Sequence, residues 1–358
     1  GRRAAADRSG RAPRERTLLR RLSIFVDGWT LDTAEAVAPD GDGDIDVDGL
    51  DALAVFDALD RLVDHSLVHT VETPTGVRFG MLETVRQFAT RRLADDPGEQ
   101  SDIADRHAEF FVDWVASLRD DLLGAALEQW YDPLVAERSN IVAALSRRAD
   151  ADPAASADAL MALAAVLAHD EWAAAGRSLL PVADRLDATV DAGRRWQVLW
   201  ARTRILSHLG DPTNEMAYAT AMHDAAAAVD DPVGIALAKS LTLSHLAALG
   251  WVVFDDWKGF VAMAAPHDPA AAAALRSILV FFAAQHGRID LVDETMAEIE
   301  LHREDHGLPL ARTIEMMADG NASFHRADAR RAVDLMRTAL ASRFTIPSLR
   351  GAAAGVIV

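Results

Sequence analysis

Closely spaced aspartates between positions 40 and 51 are the residues of this chain that most resemble a metal-binding group. Positions 1, 3, 5 and 6 of a calcium-binding EF-hand loop would be Asp44, Asp46, Asp48 and Gly49. Position 12 of such a loop supplies two carboxylate oxygens, and here it is Val55. We therefore interpret residues 40–51 as a solvated acidic connector and predict no metal site there.

A second candidate is the pair His302 and His306, whose i, i+4 spacing places both imidazoles on one side of a helix. The zincin motif has a glutamate directly after the first histidine, and no third ligand is evident here. We predict that this segment is a solvated helix end. Three aspartate pairs are expected to cap and connect helices: Asp120 and Asp121, Asp230 and Asp231, Asp255 and Asp256.

The sequence lacks the motifs of nucleotide binding and of nucleophilic catalysis. Its only lysines are Lys239 and Lys258, neither in a glycine-rich loop, so there is no P-loop to hold phosphates. There is also no Gly-x-Ser-x-Gly nucleophile motif. We predict that this chain is not an enzyme and that it holds no catalytic residue, no cofactor and no metal.

Composition narrows the class of protein and its compartment. The net charge is -19, which repels phosphate backbones and anionic membranes, and half of the residues are apolar. There is no cysteine, as expected for a protein of the reducing cytoplasm. No apolar run reaches the roughly 20 residues of a membrane span. The chain begins with Gly1 rather than Met, and we expect a cytoplasmic piece of a longer protein with no membrane contact.

Residues 15–95 have the pattern of a winged helix, in which three helices precede a β-hairpin and a closing helix. The predicted elements are a helix from Glu15 to Gly28, helices at 31–37 and 51–64, strands at 67–71 and 77–81, and the helix Thr84–Leu93. The third helix is predicted to bury Leu53, Phe56, Leu59, Leu62 and Val63. The closing helix is predicted to bury Val85, Phe88, Ala89 and Leu93 against the aromatic helix that follows.

The third helix is the element that enters the major groove in DNA-reading winged helices. Its predicted outward residues are Asp51, Asp57, Asp60, Arg61 and Asp64. Carboxylates oppose phosphate, and no Asn, Gln or Arg array is placed to read base edges, so DNA binding is not expected here. The alternative is a DNA-binding regulator that uses the arginine-rich residues 1–21 and a basic face made of Arg86, Arg91 and Arg92.

The rest of the chain is predicted to be helical. Residues 101–150 carry a helix with an apolar, aromatic stripe, on which His107 is expected to be a core histidine. Beyond it, pairs of helices alternate with breaks roughly every 40 residues, at Asp170, Gly210, Gly250, Gly287 and Arg326. The fold class is thus mainly α, a winged helix followed by an α-solenoid of helix pairs. The predicted domains are a basic edge at 1–14, the winged helix at 15–95, a coupling segment at 101–150, tetratricopeptide-like repeats at 151–345, and an end segment at 346–358.

Several short motifs, in this order along the chain, resemble the winged-helix region of STAND-class regulatory ATPases of the NB-ARC type. The resemblance favours the actinobacterial branch, which contains LuxR-like and cyclase-linked transcriptional regulators. The matching segments are 18–25, 28–31, 59–68, 81–89, 106–108 and 137–141. In that family a Met-His-Asp triplet contacts the phosphates of bound ADP through its histidine. The equivalent residues here are Met81, Leu82 and Glu83. Leu82 cannot donate that hydrogen bond, so nucleotide sensing is not expected at this position, and we expect capping of the helix start to be the main role of Glu83.

The resemblance implies a regulatory role within a signal-transduction protein. The intact protein would carry an ATPase domain that binds ATP or ADP on the N-terminal side of residue 1, with a cyclase or DNA-binding output domain elsewhere. The solenoid would bind a protein or peptide ligand and signal to the ATPase domain through the winged helix. The residues expected to couple them are Met81, Leu82, Glu83, Val85, Arg86 and Phe88.

Overall fold

The computed structural model describes residues 13–40, 49–122, 126–248, 250–251, 254–302 and 309–344. These residues divide into two compact units. The first contains residues up to Trp114 together with Asp132–Arg148; the second contains Val115–Tyr131 and everything from Ala149 onward. The fold is mainly α, as predicted, and it begins with a winged helix.

The first unit is a winged helix with two further helical segments packed on it. Its elements are α1 (13–22), α2 (Leu31–Val37), α3 (Ala52–Asp64), β1 (His69–Thr73), β2 (Gly76–Gly80), α4 (Glu83–Ala94), most of α5 (Pro97–Ser117) and most of α7 (Leu127–Arg148). Strands β1 and β2 pair antiparallel, and Trp29 bridges to Phe79 as a third, one-residue strand. A Cβ on Gly28 would lie 2.5 Å from the Phe79 carbonyl oxygen, so only glycine permits this bridge.

Three predicted boundaries in this unit are wrong. Helix α1 ends at residue 22 rather than at Gly28, because the amides of residues 23–25 bond to carbonyls three residues back and tighten the last turn. Strand β1 starts at His69 rather than at residue 67, because the Leu67 and Val68 amides both donate to the carbonyl of Leu62. The expected linker at 95–100 is only two residues long, since Pro97 opens α5.

The aromatic helix α5 buries the predicted stripe. Ile103, Phe111 and Val115 are fully buried, and His107 is a buried core histidine with a hydrogen-bond partner, as expected. Its aromatic side chains contact Phe25, three residues after the end of α1, and the ring centroid of Phe25 lies 6.3 Å from that of Phe111.

The second unit consists of helix pairs. After α6 (Arg119–Leu122), the pairs are α8 (Pro153–Leu163) with α9 (Ala173–Thr189), α10 (Ala192–Leu209) with α11 (Pro212–Ala227), α12 (Pro232–Ala248) with α13 (Phe254–Ala264), α14 (Pro269–Gln285) with α15 (Ile289–Leu301), and α16 (Pro309–His325) with α17 (Ala329–Ala341). The first helices of successive pairs pack on one another, α8 on α10, α10 on α12, and onward to α16. This is the α-solenoid arrangement that the repeated breaks predict.

The breaks between helices are fixed by turn chemistry. Gly210, Gly250 and Gly287 have positive φ and end helices. Helix starts are capped by aspartates directly before the first residue: Asp152, Asp191, Asp211, Asp268 and Asp328.

The described end of the solenoid returns to its beginning. Phe344, just after α17, is buried with its ring centroid 5.3 Å from that of Tyr131 and 5.8 Å from that of His169. The guanidinium of Arg343 also packs on the Tyr131 ring, 4.5 Å from the ring centroid. The residues directly after the last helix pair therefore contact Tyr131 of α7 and His169, which lies between α8 and α9.

Candidate interaction surface of the winged helix

Helix α3 turns an unexpected face outward. The Asp51 carboxylate caps the helix by accepting from the Ala54 amide at 2.7 Å. The buried stripe consists of Ala54, Val55, Ala58, Leu59 and Leu62. The predicted burial of Leu53 and Phe56 is wrong: Leu53 is 75% exposed and Phe56 is 50% exposed. The helix packs on the core through a side that includes the small residues Ala54 and Ala58. Leu53 and Phe56 therefore lie on the side of the helix that faces solvent.

The remainder of that outer face is acidic. Asp57, Asp60 and Asp64 are exposed, and none of them forms an ion pair with another described residue. Arg61, the one cation of α3, donates to the Glu15 carboxylate of α1 at 3.3 Å. The face therefore combines two apolar side chains with three unneutralised carboxylates.

The β-hairpin presents no cation that could contact phosphate. Its exposed side chains include Val71, Glu72 and Val77. Arg78, the only arginine of the hairpin, is mostly buried and pairs with Glu137 of α7. Val77 is exposed because Arg78, its neighbour in the strand, turns toward α7 instead.

A buried polar cluster holds α7 to the hairpin and to the loop after α1. Asn140 is fully buried and makes four hydrogen bonds: it accepts from the Val26 amide at 2.6 Å and from His107 at 3.3 Å, and donates to the Gly28 carbonyl at 3.0 Å and to Glu137 at 2.6 Å. Since Gly28 and Glu137 can only accept and the Val26 amide can only donate, the orientation of the amide is fixed. Burial lowers the pKa of His107 to about 4, so its ring is neutral at neutral pH and donates through Nε2.

Sequence reasoning did not identify this cluster as a unit. Glu137 and Asn140 belong to a segment quoted for its family resemblance, and their i, i+3 spacing is the signal that places both on one side of α7. The sequence does not show which face of the hairpin carries Arg78, because the alternation of Val77 and Arg78 is the same whichever of the two residues faces α7.

A second polar cluster includes two arginines of the arginine-rich segment 1–21. Arg20 and Arg21 of α1 donate to the Glu99 carboxylate of α5 at 2.5 Å and 2.8 Å. Arg21 also pairs with Asp40 at 2.7 Å. Burial raises the pKa of Glu99, but hydrogen bonds from both arginines outweigh it and hold that pKa below the usual value. These two arginines therefore stabilise the domain and do not form part of a free basic arm.

The start of α4 carries the residues expected to couple domains. Leu82 is the N-cap residue, is 61% exposed and makes no capping hydrogen bond. The prediction that Glu83 caps the helix is wrong, because its carboxylate accepts from Arg86 at 2.9 Å and from Gln87 at 2.8 Å. Hydrogen bonding to Arg86 lowers the pKa of Glu83, and the same bond raises the pKa of Arg86. Met81 and Val85 are half-buried beside them.

Phe88 does not join α4 to the aromatic helix. It is 52% exposed, and the guanidinium of Arg92 lies 5.2 Å from its ring centroid. Ala89 and Leu93 are buried as predicted, whereas the prediction for Phe88 is wrong. Phe88 is about 100° around α4 from buried Ala89, so its ring points away from the buried side, and the aromatic residues of α5 pack on Phe25 instead.

The second unit has a shallow cleft between its helices. It has a volume of 460 Å³ and lies among α11, α12 and α13. Its lining residues are Thr220, His223, Lys239, Thr242, Leu243, Asp256 and Phe260. The Lys239 ammonium lies 6.0 Å from the Phe260 ring centroid, so a cation and an apolar wall adjoin within the cleft.

Several sequence predictions concern residues that the structure does not describe. The aspartates at 44, 46 and 48, the histidine at 306 and the arginines of residues 1–12 lie outside the described ranges. Within those ranges, no group of three or more His, Asp or Glu side chains converges on a possible metal position. Among the same residues, no helix is both long and apolar enough to cross a bilayer.

Comparison with known proteins identifies the first domain. Residues 12–94 match the family model of the winged helix-turn-helix domain. Over 104 residues the chain is 39% identical to provisionally named HTH-type transcriptional regulators of Mycobacterium bovis and of Mycobacterium tuberculosis. This match covers 29% of the chain and 11% of each relative, so the chain spans only a small part of their length. No solved structure gives a significant match. The chain thus contains a winged helix-turn-helix domain, and this domain lies within residues 12–94.

Proposed function

We propose that this chain is a non-catalytic regulatory segment of a larger transcriptional regulator of the STAND class. In this proposal the winged helix works through protein contacts and couples the helical repeats to an ATPase domain elsewhere in the same protein. The length of the mycobacterial relatives, of which the match covers 11%, leaves room for such a domain. ATP or ADP would bind there and not to this chain.

The observation that carries the proposal is the chemistry of the α3 face. A winged helix that reads DNA presents cations and amides from α3 and from its wing. Here the two arginines of those elements, Arg61 and Arg78, are engaged by Glu15 and Glu137. The free charges on α3 are carboxylates, which phosphate repels, whereas Leu53 and Phe56 offer the apolar area that a protein partner can bury.

We propose the cleft among α11, α12 and α13 as the ligand site of the repeats. Its apolar wall of Leu243 and Phe260 suits an apolar side chain, and the adjacent Lys239 suits a carboxylate. A protein or peptide segment with both features would fit a cleft of this size and polarity.

A DNA-binding assay tests the main proposal. The full chain should not change the fluorescence anisotropy of a random-sequence or operator-selected duplex pool at 150 mM salt. Binding of selected duplexes with a dissociation constant below about 1 µM would overturn the proposal, provided that this binding is lost in the single variant Arg61→Glu, which leaves Asp57 and Asp60 unchanged. Calorimetry with Mg-ATP should show no binding heat, because the sequence has no P-loop.

The second candidate is a direct DNA-binding regulator. It is favoured by the names of the mycobacterial relatives and by the exposed cations Arg91 and Arg92 at the end of α4. In that case Arg91→Glu with Arg92→Glu would abolish binding in the same assay. Arg330→Glu with Arg337→Glu, two exposed arginines of α17, lowers the net charge by the same amount and is the control for the change in overall charge.

A further inference from the structure

We propose that helix α3 of one copy of this chain binds helix α4 of a second copy, through two faces of opposite charge that each carry an exposed phenylalanine. The contact presupposes the proposed function in one respect, because α3 must then bind protein and not DNA. It names the partner of α3 and gives a role to the basic side of α4, which the proposed function leaves without one.

The outward side of α4 is basic and carries one large apolar side chain. Phe88 is 52% exposed, and Arg91 and Arg92 follow it one helical turn further along the same side. The Arg92 guanidinium lies 5.2 Å from the Phe88 ring centroid, so the cation and the ring are already adjacent. Arg91 has no ion-pair partner among the described residues, and Arg92 pairs with Asp95 across a 3.3 Å contact that is exposed at both ends. Both cations are therefore available to an anionic partner.

The outward side of α3 has the complementary composition. Leu53 and Phe56 are exposed, and Asp57, Asp60 and Asp64 follow them along the same side of the helix. The three carboxylates are spaced at i, i+3 and i, i+4, where like charges repel, and none has an ion-pair partner among the described residues. A cationic partner removes this repulsion. Arginine suits the face best, because its planar group stacks on a ring and still bonds to a carboxylate.

The two faces match when the helices run in the same direction. In each helix a charged residue follows the phenylalanine four positions later, Asp60 after Phe56 in α3 and Arg92 after Phe88 in α4. Four residues rise about 6 Å along a helix. When the two rings lie side by side, the Asp60 carboxylate is therefore level with the Arg92 guanidinium.

The match is left to a second copy, because the two faces do not meet within one chain. None of the three α3 carboxylates forms an ion pair with Arg91 or Arg92 in the structure. Identical copies can satisfy the contact reciprocally in a closed pair or successively in a longer series. Two helix faces bury less than the roughly 1,200 Å² of a standard stable interface, so we expect weak association, with a dissociation constant on the order of 10–100 µM.

Sedimentation equilibrium of the full chain, without nucleic acid, tests the proposal. The unchanged chain should self-associate between about 5 and 300 µM, and less at 500 mM salt than at 50 mM salt. Asp57→Lys with Asp60→Lys, and separately Arg91→Glu with Arg92→Glu, should each raise the dissociation constant at least tenfold, because like charges then meet. An equimolar mixture of the two variants should return it to within about fivefold of the unchanged chain, because each altered face then meets one of opposite charge.

Matched controls separate this contact from a change in net charge. Asp113→Lys with Asp334→Lys, at exposed positions of α5 and α17, makes the same charge change as the α3 variant. Arg330→Glu with Arg337→Glu on α17 makes the same change as the α4 variant. Both controls should leave the dissociation constant within about threefold of the unchanged value. Phe88→Ser should raise it at least threefold although it changes no charge.

Three outcomes would overturn the proposal: an unchanged chain that is monomeric at 300 µM, self-association that persists in both charge-reversed variants, or a mixture of these variants that stays monomeric. Each of them leaves the proposed function standing as long as the duplex assay is negative. Duplex binding that is lost in Arg61→Glu would instead overturn the proposed function, whatever the sedimentation result.

Discussion

Asn140 is the residue on which the integrity of the winged-helix unit most depends. It is the only described side chain that bonds at once to the loop after α1, to α5 and, through Glu137, to the β-hairpin. A buried amide with all four of its hydrogen-bonding positions occupied specifies one arrangement of its neighbours, because any shift leaves a polar group unpaired.

We expect Asn140→Ala to lower the free energy of unfolding of this unit by about 3 kcal/mol, because the Val26 amide, the Gly28 carbonyl and one oxygen of the Glu137 carboxylate lose their partner, while the other oxygen stays paired with Arg78. Urea denaturation followed by circular dichroism measures the change. Ser139→Ala is the matched control: it removes one exposed hydrogen bond, to Asp27, and should change the same quantity by less than about 1 kcal/mol. Equal effects of the two substitutions would show that Asn140 has no special role.

The pH dependence of the free energy of unfolding should reflect the protonation of His107. Its pKa is about 4 in the folded chain, because burial disfavours the charged ring, against 6.5 for an unperturbed histidine. As pH falls from 6.5 toward 4 the unfolded chain binds a proton that the folded chain does not, so stability decreases over this window; above 6.5 the contribution is constant. The slope is about 1.4 kcal/mol per pH unit for each such histidine.

Buried His169 has a pKa of about 4 for the same main reason and adds to the total. We therefore compare His107→Gln with unchanged chain by urea denaturation at pH 6.5, 5.5 and 4.5. The slope should decrease by about 1.4 kcal/mol per pH unit in His107→Gln. An unchanged slope in His107→Gln would refute the assignment.

At the scale of the element, α4 combines a buried side with an exposed aromatic ring. Leu93 is fully buried, whereas Phe88 lies in solvent beneath Arg92. Leu93→Ala should therefore lower the free energy of unfolding by 2–5 kcal/mol, in the range of cavity-forming substitutions. Phe88→Ala should lower it by about 1 kcal/mol or less, since it removes only a surface cation–π contact.

Thermal and urea unfolding of the two variants check this contrast directly. If Phe88→Ala proved as destabilising as Leu93→Ala, the ring would have to be buried in solution. If Phe88 couples domains in the intact protein, it does so as a surface residue available to another domain, so the same substitution should alter regulation without altering folding.

Element types were predictable from the sequence, and the orientation of their side chains was less so. The order of helices and the hairpin, and all five helix pairs, follow from periodicity and from breaks such as Gly210 and Gly287. The exposure of Leu53 and Phe56 was not predictable, because an apolar residue one position off the buried stripe fits an amphipathic helix equally well. The exposed side of α3 was correctly predicted to be acidic, but its apolar centre required the structure.

The polar cluster around Asn140 shows the second limit of sequence analysis. Its members come from the loop after α1, from the hairpin, from α5 and from α7, which are distant in sequence. Short-range periodicity cannot pair residues so far apart, and each member taken alone looks like an ordinary polar side chain. Only the folded arrangement reveals which of them share a site.

At the scale of the whole molecule, the second unit differs from an open row of repeats. In an open solenoid each repeat contacts only its neighbours, so unfolding can begin at either end and proceed stepwise. Here Phe344 seals the last described residues against Tyr131 and His169.

We expect Phe344→Ala to broaden the urea transition of this unit and lower its m-value, because the helix pairs near the released end then unfold before the rest. Phe324→Ala is the control, since Phe324 is a similar side chain near the end of α16 but is exposed. A parallel shift of the midpoint without any change in m would indicate that the contact adds stability but not cooperativity.

The contact between Phe344 and Tyr131 also sets an order of events during synthesis. The ribosome adds about 5–20 residues per second, so Tyr131 and His169 emerge on the order of 10 s before Phe344 is made. Throughout that interval the parts of the Tyr131 and His169 rings that Phe344 later contacts lack this cover. The nascent protein is then most exposed to aggregation and to chaperones, and this vulnerable surface lies at the beginning of the solenoid rather than at its growing end.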